Sequence, residues 1–133
     1  MNAWIRLTTA AALLALGTAA HAQPVEMEGQ KFEPTVQVGG QPLVLNGVGL
    51  RKRAVFKVYV AGLYVPAKSS NAATLLAEKG PRRVSLRMLR DLDADTLVGA
   101  FTDGLKANLS EAQLTTLKPQ VEAFTATMKT VGE

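Results

Sequence analysis

The chain has 133 residues, a formal net charge of +4, no cysteine and a single histidine. That length suits one domain with one modest core. The absence of cysteine excludes disulfide staples and cysteine nucleophiles, and the mild basic balance favours an anionic partner.

The first 22 residues, MNAWIRLTTAAALLALGTAAHA, join one positive residue, Arg6, to an apolar stretch from Ala10 to Ala20 and a small-x-small end at Ala20-His21-Ala22. This is the pattern of a secretory signal peptide cut before Gln23. The stretch is short for a membrane span. The expected mature chain, 23–133, is extracytoplasmic, periplasmic or secreted, with no stable membrane insertion after cleavage. Cleavage removes His21 and with it the usual zinc sites, Ser-His-Asp triads and the imidazole proton shuttle. No metal or cofactor is expected, and export argues against nucleic acid as a partner.

From Phe32 the chain turns to strands. Thr35, Val36 and Val38, then Gly39-Gly40, then Leu43 to Leu45 predict a hairpin, with Pro34 and Pro42 at strand starts or an edge. Asn46-Gly47 is a turn signal, and Gly47-x-Gly49 allows a tight approach before Arg51. No helix pattern follows it, so the dinucleotide-binding reading fails. The turn is expected to hand the basic cluster Arg51-Lys52-Arg53 to a long strand through Val65, buried on both faces. Alternation along one strand would put Arg51, Arg53, Lys57 and Tyr59 on one parity, with Phe56, Val58, Val60 and Tyr64 on the other. Tyr64 follows Gly62, where a bulge would reset the parity and bring it into the same cleft as Tyr59; otherwise it is core.

Pro66 ends that strand, and Ser69 or Ser70 is expected to cap a short helix over 71–79. From Arg82 to Leu89, Val84, Leu86 and Met88 alternate with Arg83, Ser85 and Arg87, predicting a strand with its apolar side inward and a basic outer face. Asp93 is an N-cap for a second helix with Leu97, Ala100, Phe101 and Leu105 at helical spacing. Ser110-x-x-Gln113 is a capping-box pattern opening a third, which Pro119 either kinks or divides. Asn108-Leu109-Ser110 also matches a glycosylation acceptor, although the capping role of Ser110 accounts for it. Phe101, Phe124 and Met128 suit either an acyl cavity or an ordinary core.

NGVGLR at 46–51, FKVYVAGLYV at 56–65, AKSS at 67–70, GPRRV at 80–84 and LRDLDADTLVGAF at 89–101, five segments in order, resemble the chalcone isomerase family. The likeness is strongest to its short, secreted bacterial chalcone isomerase-like branch. The resemblance implies an α+β fold, an antiparallel β-sheet with helices packed on one face and a ligand cleft between the layers. Plant members close the flavanone ring of a chalcone, whereas related members bind fatty acids without that activity. The family's arginine in the glycine-rich turn matches Arg51, and the polar position midway along the next strand matches Tyr59. In the fatty-acid binders an arginine and a tyrosine hold the carboxylate, so the resemblance implies Arg51 and Tyr59, with Tyr64 as a third candidate, as ligand-binding residues. No residue matches the family's helix tyrosine, because no tyrosine follows Tyr64. A non-catalytic binder of a small amphipathic anion such as a fatty acid is therefore expected ahead of the alternative, an intramolecular lyase of the isomerase type with Arg51 stabilising a phenolate or enolate and Tyr59 relaying protons. Relatives continue past the Met128 region with a further hairpin and helix, so the domain is expected to be C-terminally shortened, with a free sheet edge. The sequence gives no other signal of oligomeric state.

Overall fold

The computed structural model describes residues 22–130. The expected signal segment lies almost wholly outside them. Two short strands, β1 (Val25–Met27) and β2 (Gln30–Phe32), form a hairpin. A four-stranded antiparallel sheet follows in the order β3 (Thr35–Val38), β4 (Gln41–Arg53), β5 (Phe56–Val65) and β6 (Arg83–Met88). Three helices complete the α+β domain: α1 (Ala72–Ala77) between β5 and β6, then α2 (Ala94–Asn108) and α3 (Glu111–Met128) after β6.

The turns follow from local chemistry. Glu28 and Gly29 at φ 52° and 73°, and Gly39 and Gly40 at 57° and 77°, have the paired positive φ of two-residue hairpin turns, whose twist suits the strands. The long strand expected through the basic cluster is instead two strands. Its reversal falls at Ala54-Val55, where Ala54 takes φ 51° and Arg53 pairs with Phe56. Asn46-Gly47 is not a turn. It is a bulge within β4, where the register slips between Leu45 and Gly47. The Asn46 side chain there accepts a hydrogen bond from the Ser69 amide at 2.9 Å, fastening the loop after β5 to the bulge.

The core lies on one side of the sheet. Leu43, Leu45, Val60 and Tyr64 bury there, and Phe32 folds over them from the β1–β2 hairpin. Gly62 makes this possible: a Cβ at that position would stand 2.5 Å from Phe32 Cδ1, so only glycine lets the ring lie flat on β5. Arg87 covers the ring, its guanidinium carbon 5.9 Å from the centroid.

β6 reverses the expected orientation. Register pairs Arg83 with Tyr64, Ser85 with Gly62 and Arg87 with Val60, so the polar parity of β6 shares the core side. Val84, Leu86 and Met88 point to the other side and are 64%, 40% and 39% exposed. The alternation was legible, but its sense is fixed by pairing with β5.

The caps hold α2 and α3 in place locally. Asp93 accepts from the Thr96 amide at 2.7 Å, and Ser110 and Gln113 form the reciprocal capping box. Asn71, rather than Ser69 or Ser70, caps α1 by accepting from the Thr74 amide; Ser69 lies two residues earlier and bonds the Asn71 amide instead. Pro119 lies inside a continuous α3. Phe101 and Phe124 meet between α2 and α3, their centroids 5.1 Å apart. No residue of the three helices is buried, so the core is made by strands.

Candidate functional site

The side of the sheet away from Phe32 holds the candidate site. Arg51 on β4 stands directly opposite Tyr59 on β5, which in turn stands opposite Met88 on β6. Directly opposed residues of antiparallel strands project to the same face with Cβ atoms roughly 5 Å apart. Arg51 and Tyr59 therefore share a face, as expected, but as cross-strand neighbours and not as alternate positions on one strand.

Below this row lie two more. Gly49 opposes Ala61, which opposes Leu86; Gly47 opposes Leu63, which opposes Val84. A Cβ at Gly47 or Gly49 would meet nothing within 4 Å, so the β4 border is open space. Beyond the last row Val65 is buried, apart from the core cluster. The result is a shallow apolar track with a cation and a phenol at its head. From the Tyr59 row to the Leu63 row it runs about 13 Å at ~3.3 Å per residue.

Arg51 is exposed and Tyr59 is half-buried. An exposed guanidinium keeps five donors free for a planar anion, and the phenol adds a neutral donor. In place of the expected cleft between sheet and helices the described residues form an open track, and no helix residue is buried. Two open depressions, of about 350 Å³ at Ala112, Gln113, Thr116 and Leu117 and about 400 Å³ at Asn46, Lys68, Ser69 and Ser70, are lined by neither Arg51 nor Tyr59.

The structure separates Tyr64 from this pair. The pairing of β4 with β5 runs without a slip from Gly47–Leu63 to Arg51–Tyr59, so β5 has no bulge at Gly62; the register shifts fall at Asn46 on β4 and between Arg51 and Lys52, where Val58 of β5 is the extra residue. Tyr64 is 3% exposed on the core side, and its hydroxyl donates to the Glu33 carbonyl at 3.0 Å. Burial pushes its pKa up, against the opposing pull of Arg83 and Arg87. Asp93 is held by Thr96, and Asp95 pairs with Lys129 at 3.0 Å. Asn108 bonds back to the Gly104 carbonyl within α2. What the sequence reading missed is the track itself. Its signal was the apolar parity of β6 together with the glycine parity of β4, once both are set on one face.

Fold and site together define an α+β domain whose antiparallel sheet presents an arginine–tyrosine pair over an apolar track. The sequence model of the chalcone isomerase-like family matches residues 24–133, and the chain belongs to that family. No curated protein matches the chain. No solved structure matches it either.

Proposed function

We propose that this protein is a non-catalytic, extracytoplasmic binder of a small amphipathic anion, with a fatty acid as the best-fitting class. The observation that carries the reading is the direct pairing of Arg51 with Tyr59 at the head of the Gly49–Ala61–Leu86 and Gly47–Leu63–Val84 rows. The guanidinium takes the carboxylate, the phenol donates to it, and the tail lies along the rows. Each methylene withdrawn from water contributes up to ~0.8 kcal/mol, so the tail supplies most of the affinity while Arg51 sets direction. In the lyase alternative Tyr59 would relay protons with Arg51 and Met88 as its neighbours across the ladder.

The test is calorimetric titration of the full chain with a long-chain fatty acid and with the alcohol of equal length. Arg51→Ala should weaken the acid by tenfold or more and the alcohol little. Equal loss for both ligands, or no binding of either by the parent, would sink the reading. Adding chalcone and following its absorbance addresses the lyase alternative: turnover abolished by Tyr59→Phe would replace binding with catalysis.

A further inference from the structure

We infer that the tip of the β4–β5 hairpin is a docking surface for an anionic lipid bilayer, seated at the interface without spanning it. The turn residue Val55 is 85% exposed and its neighbour Phe56 is 55% exposed, the most solvent-facing pair of adjacent large apolar residues among the described residues. Val55 at the two-residue turn buries little inside the domain, and Phe56 at the start of β5 keeps more than half of its surface in solvent. Neither is needed to make the turn, since Ala54 carries its positive φ.

Cations surround the pair. Arg51, Lys52 and Arg53 lead into the turn and Lys57 leaves it, all exposed. Arg90 is brought in from the segment after β6, its guanidinium 4.6 Å from the Phe56 centroid. Among the described residues, Lys57 alone of these cations is engaged by an acid, Glu28 at 2.6 Å. An apolar point inside a ring of arginine and lysine complements a bilayer, whose headgroup layer offers anions outside and hydrocarbon beneath. A soluble acidic protein or nucleic acid would engage the cations and leave Val55 in water. No helix among the described residues is long and apolar enough to cross a membrane, so attachment through this tip is peripheral. The inference stands independently of what the track holds.

The experiment is co-sedimentation of the full chain with vesicles of phosphatidylcholine alone and with added phosphatidylglycerol. Each cation near an anionic surface is worth about fivefold in partitioning, so Lys52→Glu and Arg53→Glu should each lower binding to the anionic vesicles at least fivefold. Val55→Ser and Phe56→Ser should lower it comparably, and all four variants should keep the parent's circular dichroism and its fatty-acid titration. The chain has no cysteine, so Val55→Cys accepts a single environment-sensitive fluorophore. Its emission should shift to the blue on anionic vesicles. The same label on Leu76→Cys, on α1 beyond the opposite end of β5, should not shift. Binding equal on both vesicle types and untouched by the variants would assign adhesion to another segment. Charge-dependent binding with no shift at position 55 would mean electrostatic contact only. Either result, or no binding by the parent, overturns the inference.

Discussion

Gly62→Ala adds one methyl group at the point where Phe32 lies on β5. An alanine is ordinarily better than glycine within a strand by about 0.5–1 kcal/mol, because less backbone entropy is lost. Here the new Cβ would sit 2.5 Å from Phe32 Cδ1 and 2.8 Å from Cε1. The ring cannot easily give way: it is 1% exposed, with Arg87 over it and Leu45 among its neighbours in the core. Overpacking of this kind costs roughly 1–3 kcal/mol, so the clash outweighs the propensity gain and a net loss of about 1–2 kcal/mol is expected. Urea unfolding should show a lower midpoint with an unchanged slope. Gly49→Ala is the matched control. Its Cβ meets nothing within 4 Å, so that variant should be neutral or more stable by up to about 1 kcal/mol. Removing the two clashing ring atoms with Phe32→Val should make a subsequent Gly62→Ala harmless, a coupling that a double-mutant cycle reads directly. Gly62→Ala at least as stable as the parent, or a cost that persists in the Phe32→Val background, would refute the argument.

Three further outcomes follow from individual side chains. Tyr64 has a raised pKa through burial, so its contribution to stability is present below the ordinary phenol value and is lost as pH rises through the raised one. Tyr64→Phe should remove the late step in the phenolate absorbance titration and cost about 1 kcal/mol through the lost bond to Glu33. The Asp93 pKa is lowered, chiefly by hydrogen bonds from Thr96; its contribution is therefore present above the usual carboxylate value and disappears as pH falls through the lowered one. Asp93→Asn keeps a capping oxygen but should flatten that acid dependence of α2 helicity, measured by circular dichroism against pH. Ala54→Gly should raise the unfolding midpoint slightly, because Ala54 holds φ 51° where glycine is unstrained.

The sequence by itself determined several features governed by neighbours a few residues apart, although it placed a turn at Asn46-Gly47 and the α1 cap at Ser69 or Ser70, where the structure has a bulge and an Asn71 cap. The Gly39-Gly40 hairpin, the Asp93 cap, the Ser110–Gln113 box and the family's ordered segments depend on local backbone chemistry or on residue identity, and each stands where the pattern put it. It also named Arg51 and Tyr59 as a pair. Tertiary structure decided which residues share a face, because strand parity is set by register and one slipped residue exchanges the two sides. The reversal at Ala54-Val55 divided one expected strand into two, so that Arg51 meets Tyr59 across a ladder. The bulge at Asn46 let Leu45 and Val48 both pack with the core on that ladder, and Tyr64 stayed in the core. The pairing of β6 with β5 turned Val84, Leu86 and Met88 away from the core to line the track. Alternation marks two faces without saying which is inside; that is settled only when Phe32 closes over one of them and leaves the other, with Arg51 at its head, to water.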